Sequence, residues 1–253
     1  MLPRPRKRFG QHFLTDRHYL ERIVAAIAPA GSDAMVEIGP GTGLLTERLA
    51  GRVGELHVVE IDRDLAAGLR DRFDTQLTVH EADALEFDFA ALPQALRVVG
   101  NLPYNVSTPI LFRVAALAER IRDCTFMLQK EVVDRMVAAP DTADYGRLSV
   151  MLQYRFAMES LFDVPPGAFT PPPKVDSSVV RMVPLGAGRA LARDEEALAR
   201  IVAAAFSQRR KTLRNAVRAF VAPAAFERTG IDPGRRGETL SVREFIALAD
   251  AAD

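Results

Sequence analysis

A short apolar run that ends in three closely spaced glycines is the feature that most constrains how this chain can fold. Residues 34–38 have the composition of a buried strand, and Gly39, Gly41 and Gly43 follow directly before a helical pattern. A strand, a glycine turn and a helix in this order predict a βα unit whose backbone comes close to a nucleoside at the helix N-terminus. The third glycine comes one residue too early for the dinucleotide fingerprint, so the loop by itself is a weak indication of a ligand.

The next three predicted strands also end in polar side chains, since they finish at Glu60, at Asp83 and just before Asn101. Because the carboxyl ends of parallel strands meet at one edge of a sheet, these side chains and the glycine loop should line one cleft. Glu60 stands roughly 20 residues after the glycines, the offset at which a carboxylate binds ribose hydroxyls, and Asp83 could accept a hydrogen bond from an adenine amine. Each acid alone is more often a solvated strand end, but four polar strand ends in succession favour a mostly parallel α/β sheet.

The segment Asn101-Leu102-Pro103-Tyr104 offers the chemistry for methylating an amine on a flat base. An exocyclic adenine amine is a poor nucleophile, because its lone pair is delocalised into the ring. The Asn101 side-chain carbonyl and the Leu102 backbone carbonyl could hold the amine hydrogens out of the ring plane and return the lone pair to nitrogen. Tyr104 could then stack on a base turned out of its helix. The alternative is a plain turn, since Asn and Pro are common turn formers.

Seven short motifs lie along the chain: RFGQHFL (8–14), VEIGPGTG (36–43), GNLPYN (100–105), FMLQKEV (126–132), YGRLSV (145–150), FTPPPKVDS (169–177) and QRRKT (208–212). With these motifs the chain closely resembles the ribosomal RNA adenine dimethyltransferases, which modify two adjacent adenosines near the 3′ end of small-subunit (16S) ribosomal RNA. The resemblance runs almost from end to end. The glycine loop and the acids are generic to methyltransferases, whereas the other motifs are specific to this family.

The resemblance implies a class I methyltransferase fold, which is Rossmann-like, and S-adenosylmethionine as the methyl donor. The implied donor site consists of His12, Leu14, Gly39, Gly41, Glu60, Ile61, Asp83, Ala84 and Asn101. Many relatives carry Asn where this chain has His12. Because His can also donate and accept, we expect that contact to survive through a ring nitrogen or the backbone. No metal is expected, since Cys124 is the single cysteine and the four histidines lack metal-ligand spacing.

The implied catalytic residues are Asn101, Leu102, Pro103, Tyr104 and Phe169. On this interpretation an extruded adenine lies between Tyr104 and Phe169 and attacks the donor methyl group in line, without a covalent enzyme intermediate. Catalysis then consists mainly of positioning and of hydrogen bonding by Asn101 and the Leu102 carbonyl. For Phe169, packing in the core is an equally good interpretation of the sequence.

Basic charge is concentrated in two places, although the net charge of the chain is zero. Residues 1–22 carry a net charge of +4 and residues 206–218 carry +5. Two concentrated patches in a neutral chain favour nucleic acid over a merely solvated face. In the second patch an apolar stripe is predicted to share one helix with the arginines, and it consists of Phe206, Leu213, Val217 and Phe220. The predicted RNA-binding residues are Arg6, Lys7, Arg8, Arg209, Arg210, Lys211, Arg214 and Arg218.

The order of predicted elements divides the chain into a donor-binding domain, residues 1–186, and a small helical RNA-binding domain, residues 187–253. In the first domain, residues 148–156 and 178–183 are predicted to add an antiparallel edge to the sheet. The proline-rich loop at 164–174 is too poor in N–H donors for a sheet interior and is predicted to form a wall of the target pocket. Helices of the second domain are predicted at 195–206, 207–221 and 241–251.

The expected setting is the cytoplasm, because no apolar run reaches the ~18 residues of a membrane span and the basic start has no apolar signal region. The resemblance implies a monomer that acts on an immature small ribosomal subunit of the 30S type.

Three alternatives stay open. A relative that dimethylates one large-subunit adenosine shares the core motifs, although the motifs at 145–150 and 169–177 favour the small subunit. A DNA adenine or protein glutamine methyltransferase would share the logic of the Asn101 segment, but the two basic patches argue against it. A non-catalytic RNA-binding assembly factor could have kept the fold, and the intact glycines, acids and Asn101 argue against lost catalysis.

Overall fold

A seven-stranded sheet organises the first of two compact units in the computed structural model, which describes residues 11–208 and 210–252. The strands are β1 Phe13–Leu14, β2 Ala34–Ile38, β3 Glu55–Glu60, β4 Thr78–Glu81, β5 Leu96–Asn101, β6 Ile121–Gln129, β7 Phe156–Val164, β8 Phe169–Thr170 and β9 Ser177–Pro184. Their order in the large sheet is β4-β3-β2-β5-β6-β9-β7. Strands β4, β3, β2, β5 and β6 run parallel, and β9 is antiparallel to β6. The predicted mostly parallel α/β sheet is confirmed.

Helices alternate with the parallel strands, and several begin at an acidic residue that caps them. Among the described residues the helices are α1 Arg17–Ile27, α2 Thr46–Leu49, α3 Arg63–Phe73, α4 Ser107–Ala116, α5 Lys130–Val137, α6 Arg147–Gln153, α7 Glu195–Ser207, α8 Leu213–Val217, α9 Pro223–Thr229 and α10 Val242–Asp250. Asp16 accepts from the backbone of His18 and Tyr19 at the start of α1, and Asp62 accepts from Asp64 N at the start of α3. These bonds satisfy N–H groups that a helix N-terminus leaves unpaired.

The central strands β2 and β5 are almost entirely buried, and they approach each other closely at the end that carries the glycine loop. A Cβ atom on Gly100, near the end of β5, would lie 2.4 Å from the Ile38 carbonyl oxygen. Only glycine permits this approach. This approach brings Gly39 and Asn101 close together at the edge of the sheet.

The antiparallel edge of the sheet is only partly as predicted. Residues 178–183 lie within β9, so that strand is confirmed, but residues 148–156 were predicted as a strand and fold mainly as helix α6. The prediction was wrong because the run is buried along most of its length, and an apolar run without a clear polar period does not distinguish a strand from a short buried helix. Ser149 Oγ accepts from Gly146 N at the start of α6. The outermost strand on this side of the sheet is β7, which follows β9 in the strand order and begins at Phe156.

A two-stranded sheet joins the start of the described chain to the proline-rich loop. Strand β1 pairs antiparallel with β8, with Phe13 opposite Thr170 and Leu14 opposite Phe169. Thr15 N and Asp16 N both donate to the Ala168 carbonyl. The N-terminal segment is therefore held in place immediately before α1.

The second compact unit consists of Asp134–Ala157 and Leu185–Asp253. The predicted boundary after residue 186 lies within two residues of the break at Leu185, but the unit also takes in Asp134–Ala157, so it is discontinuous in sequence. Tyr145 explains this in part, because its ring is buried in the helical core and its hydroxyl donates to the Leu240 carbonyl.

Two of the three predicted helices of this unit are confirmed as α7 and α10, while the helix predicted at 207–221 is not continuous. Among the described residues of that range, Ser207 ends α7 and Leu213–Val217 forms α8. Leu213 N donates to the Arg235 carbonyl and Arg214 N to the Pro233 carbonyl instead of extending a helix backwards. The predicted apolar stripe on one helix is accordingly wrong for Phe220, which is 43% exposed. Helix α9 was not predicted.

Within residues 11–208 and 210–252, no helix is both long enough and apolar enough to cross a bilayer.

Candidate active site

The carboxyl ends of β2, β3, β4 and β5 open into one cleft of the first unit. The predicted donor and catalytic residues that line it are His12, Leu14, Gly39, Gly41, Glu60, Ile61, Asp83, Ala84, Asn101, Leu102, Pro103 and Tyr104. The structure thus brings together all the predicted residues of these two groups except Phe169. Their individual roles remain predictions.

The glycine loop places backbone at the floor of the cleft. Gly39 and Gly41 have φ angles of 66° and 58°, in the left-handed region that favours glycine. A Cβ atom on Gly41 would also lie 3.0 Å from the ring of Phe13 in β1. The loop therefore needs glycine at position 41 for two reasons, its backbone conformation and the close approach of the N-terminal segment.

Glu60 is the last residue of β3, and its side chain is hydrogen-bonded to the glycine loop. Its carboxylate accepts from Gly41 N at 3.1 Å and from Asp62 N at 2.9 Å. Burial raises the pKa of Glu60 above its ordinary value, although the backbone hydrogen bonds act in the opposite direction. A carboxylate has about four lone-pair sites, so Glu60 keeps capacity to accept from ribose hydroxyls. Next to it, Ile61 is 46% exposed and gives the cleft an apolar surface of the kind on which a base can lie.

Asp83 stands after the end of β4 and has one carboxylate oxygen engaged. Its Oδ1 accepts from Leu85 N at 2.8 Å, and Ala82 N donates to the Glu60 carbonyl. These bonds fix the backbone around Asp83 next to β3, and among the described residues the other Asp83 oxygen has no partner and can accept from a ligand.

The Asn101 amide is oriented by the N-terminal segment. Its Nδ2 donates to the His12 backbone carbonyl at 3.0 Å, so the Asn101 side-chain oxygen keeps its role as an acceptor. Leu102 N donates to the Met127 carbonyl and fixes the chain as it leaves β5. Both acceptors that the sequence predicted for an amine thus belong to a rigid segment.

The Tyr104 side chain is held at both its hydroxyl and its ring. The hydroxyl lies 2.6 Å from Ser177 Oγ, and the ring is stacked against the His12 imidazole with centroids 5.6 Å apart and an interplanar angle of 25°. Burial raises the pKa of Tyr104, while the Ser177 hydrogen bond acts to lower it. Tyr104 is only partly buried, so part of its ring is available to a flat ligand.

Phe169 is placed differently from the other predicted catalytic residues. Its side chain is 3% exposed, packs in the main hydrophobic core and is absent from the residues that line the cleft. The structure therefore corresponds to the alternative interpretation, core packing. The proline-rich loop nevertheless reaches the N-terminal segment two residues later, because the Pro171 carbonyl contacts the His12 ring.

Glu37 and Ser177 are among the residues in or beside the site that were not predicted. Glu37, in β2, is 2% exposed and lines the cleft, and burial raises its pKa to about 7 despite the hydrogen bond that Thr46 Oγ1 donates at 2.7 Å. The signal was present, since an acid inside an otherwise apolar strand is rarely buried without a reason. Ser177 offered a weaker signal, because nothing in its local sequence indicates the contact with Tyr104.

The predicted RNA-binding residues fall into two groups. Arg6, Lys7, Arg8 and Arg209 lie outside the described residues. Arg210, Lys211, Arg214 and Arg218 are exposed in the second unit, and none of these four forms an ion pair with any residue that the structure describes. Four unpaired cations within nine residues fit a polyanionic partner.

Comparisons with known proteins agree over nearly the whole chain. The family model described as "Ribosomal RNA adenine dimethylase" matches residues 3–253. The chain is 62% identical over 248 residues to the "Ribosomal RNA small subunit methyltransferase A" of Aromatoleum aromaticum, with 98% of this chain and 94% of that protein covered. It is 58% identical to the protein of the same name from Laribacter hongkongensis, with 97% and 95% covered.

Two solved structures share the fold. A dimethyladenosine transferase from Plasmodium falciparum superposes with a TM-score of 0.83 at 24% identity, covering 94% of this chain and 96% of that one. The 23S rRNA methyltransferase ErmE superposes with a TM-score of 0.71 at 27% identity, covering 94% and 98%. These similarities confirm the predicted methyltransferase fold.

Proposed function

This chain belongs to the ribosomal RNA adenine dimethylase family, and from that premise we propose that it transfers methyl groups from S-adenosylmethionine to the N6 amines of two adjacent adenosines near the 3′ end of 16S ribosomal RNA. The product would be N6,N6-dimethyladenosine at both positions. The observation that carries the proposal is the convergence of the Glu60 carboxylate, the Asn101 amide and the Tyr104 ring in one cleft.

The choice of the small subunit is supported by the relatives. Proteins named as small-subunit methyltransferases are 62% and 58% identical to this chain, whereas the 23S rRNA methyltransferase ErmE is 27% identical. The specific motifs at 145–150 and 169–177 support the same choice.

The donor fits the cleft by its chemistry. The positive-φ glycines bring backbone close to a nucleoside, Glu60 keeps acceptor capacity for ribose hydroxyls, and Asp83 keeps an oxygen for an adenine amine. The exposed Ile61 side chain would pack against the adenine ring. A donor held in this way supplies a methyl group already activated by a positive sulfur, so the protein has mainly to position the two reactants.

The acceptor amine would be held by Asn101 and by the Leu102 carbonyl, with the base on the ring of Tyr104. The hydrogen bond from Asn101 Nδ2 to the His12 carbonyl supports this arrangement, since it leaves the Asn101 oxygen to accept from the amine. Two fixed acceptors draw the amine hydrogens out of the ring plane and return the lone pair to nitrogen. No covalent enzyme intermediate is required.

The proposed partner is an immature small ribosomal subunit, bound by a monomer in the cytoplasm. The unpaired Arg210, Lys211, Arg214 and Arg218 support an RNA partner, because the binding of exposed cations to phosphates releases the counterions of the nucleic acid.

One assay tests the activity against its alternatives. Radiolabelled S-adenosylmethionine is incubated with immature small subunits, mature large subunits, duplex DNA and protein, and the products are digested to nucleosides. Label in dimethyladenosine from the small subunit alone is the expected result. Label only in the large subunit, in DNA or in protein would replace the proposal with the corresponding alternative, and no label would favour an assembly factor.

The basic residues are tested separately. Replacing Arg210, Arg214 and Arg218 by Ala should make binding to the small subunit less sensitive to salt. The slope of log binding constant against log salt concentration should become shallower by about 0.9 for each duplex phosphate that the variant no longer neutralises. Arg200→Ala is the control, because Arg200 is exposed in the same unit but lies near Asp194 and Glu196. An unchanged slope in the triple variant would show that these arginines are merely solvated.

A further inference from the structure

His12 contacts both ends of the segment that the proposed function places against the acceptor amine. Its backbone carbonyl accepts from Asn101 Nδ2, and its imidazole stacks on the Tyr104 ring. The residue lines the cleft together with the rest of the N-terminal segment. A titratable ring thus lies beside the two residues that would orient the amine.

The hydrogen bond at Nδ1 determines which ring nitrogen is free. Nδ1 lies 2.8 Å from the Pro171 carbonyl oxygen. A carbonyl oxygen can only accept, so Nδ1 carries the hydrogen and the lone pair of the neutral ring is on Nε2. Within the part of the chain that the structure describes, Nε2 has no hydrogen-bond partner.

The stacking geometry leaves part of the Tyr104 face uncovered by the His12 ring. Centroids 5.6 Å apart with nearly parallel planes correspond to offset stacking, so the imidazole covers only part of the Tyr104 face. A base on the remaining part of that face, with its amine bonded to the Asn101 oxygen, would occupy the cleft that His12 also lines.

Methylation of an amine releases a proton, and the proposed reaction provides no acceptor for it so far. On the premise of the proposed function, we propose that His12 Nε2 takes up the proton that the N6 amine loses in each methyl transfer. His12 is then a catalytic residue of this chain and not only a contact of the donor. The Pro171 carbonyl would stabilise the imidazolium that forms, because it accepts from the opposite ring nitrogen.

The step balances as follows in atoms and charge. The N6 lone pair forms the new N–C bond, and the C–S bond of the donor breaks with its electron pair going to sulfur, which becomes neutral. As the N–C bond forms, the N6 nitrogen gives one hydrogen to Nε2, so the nitrogen ends neutral, and the resulting imidazolium gives the proton to water. The second transfer repeats these events with the remaining N6 hydrogen, so His12 must be neutral again before it begins.

Other titratable groups face the same cleft and have to be separated from His12 in any pH experiment. They are Glu37, Glu60, Asp83 and Tyr104. Lys174 and Asp176 do not line the cleft but follow Pro171 closely in the sequence. No residue that the structure describes forms an ion pair with His12. A variant that changes His12 alone, measured across pH, therefore isolates its contribution.

The experiment compares wild type with His12→Asn and His12→Gln in single-turnover methylation of immature small subunits at saturating donor. An amide keeps hydrogen-bonding ability but is not a base at these pH values. At neutral pH both variants should be slower by roughly 10²–10⁴-fold. The wild-type rate should fall at acidic pH, because a protonated imidazole cannot take up the proton, and the rates of both variants should lose that dependence. His18→Asn, a change at an exposed histidine of α1, should behave as wild type.

The outcomes separate this inference from the function on which it rests. If wild type transfers no label to the small subunit, the proposed function fails. If wild type is active and the rates of both variants still fall at acidic pH as the wild-type rate does, the inference about His12 is overturned. Calorimetric titration of the donor gives the second readout, because a loss of donor affinity with an unchanged pH profile at saturating donor would assign His12 to donor binding alone.

Discussion

The two ends of the central sheet both carry buried charged groups, but they use their hydrogen-bonding capacity differently. At the amino end of β5, Arg97 donates all five of its N–H hydrogens, to both oxygens of Asp123, to Asp33 and to the carbonyls of Ile27 and Ala28. At the carboxyl end of the parallel strands, Glu60 and Asp83 leave acceptor sites unused among the described residues. A saturated cluster stabilises the fold, whereas an unsaturated one is prepared for a ligand.

The pKa values of buried carboxyl groups shift in opposite directions at the two ends of the sheet. Burial acts to raise the pKa of Asp33, but hydrogen bonds from Arg97 and from Ala30 N outweigh it, and the pKa lies below its ordinary value. For Glu60 the burial is not outweighed and the pKa is raised. A carboxylate whose pKa stays raised in a cleft is a candidate for function, because a positively charged or hydrogen-donating ligand would remove the cost of its burial.

The largest expected effect tests the saturated end. Arg97→Met should lower the free energy of unfolding by roughly 3–5 kcal/mol, because it leaves Asp33 and Asp123 without their principal partner in a buried place. Urea unfolding measures the change. Arg122→Met is the matched control, since Arg122 also pairs with Asp33 but is 58% exposed, and it should cost less than about 1 kcal/mol. Equal losses in the two variants would contradict the distinction between the ends of the sheet.

The second largest effect is expected at the carboxyl end of the parallel strands and concerns the reaction rate. Asn101→Ala should lower the single-turnover rate by roughly 10²–10³-fold, the scale of losing one fixed hydrogen-bonding group from a reacting centre. Affinity for the immature small subunit should remain as in wild type, because the arginines proposed to bind RNA are unchanged. Filter binding and the rate are measured on the same preparation. A rate within twofold of wild type would remove Asn101 from the chemistry.

A smaller effect is expected for the donor. Glu60→Ala should weaken S-adenosylmethionine binding by roughly 1–3 kcal/mol, the cost of leaving buried polar partners unpaired. Calorimetric titration measures it. Glu81→Ala is the control, because Glu81 lies opposite Glu60 in the register of β4 and β3 but is exposed and pairs with Arg70. Unchanged affinity in the Glu60 variant would exclude the ribose contact.

The same comparison shows why the sequence predicted one end of the sheet better than the other. Gly39, Glu60, Asp83 and Asn101 stand at strand ends, and because parallel strands align their ends, a one-dimensional pattern was enough to place them in one cleft. Arg97 gave no such signal. Its partners are separated from it by up to 70 residues. Asp123 reaches it through the pairing of β5 with β6, and Ile27 and Ala28 reach it from the end of α1.

Contacts across long sequence distances also account for what was wrong. The predicted helix at 207–221 is interrupted because residues 233 and 235 bind the first N–H groups of α8, a tertiary contact that outweighs local helical preference. The stack of His12 on Tyr104 joins two segments that are far apart in the sequence, and neither segment predicts the contact. Phe169 was ambiguous for a physical reason, since an aromatic residue beside a functional motif can fill the core or face a ligand, and only burial distinguishes the two.

The smallest effect concerns the Tyr104 hydroxyl and decides whether its ring or its oxygen matters. Tyr104→Phe keeps the stacking face and removes the bond to Ser177, so the rate should fall by no more than the equivalent of roughly 0.5–1.5 kcal/mol. Tyr104→Ala also removes the face and should lose roughly 1–3 kcal/mol in addition to any structural cost. Ser177→Ala removes the other partner of the same bond, so it should match Tyr104→Phe, and the double variant should be no slower than either one. Donor affinity should be unchanged in all of them. If Tyr104→Phe proves as slow as Tyr104→Ala, the hydroxyl carries the function, and the unsaturated end of the sheet acts on its substrate through hydrogen bonds alone.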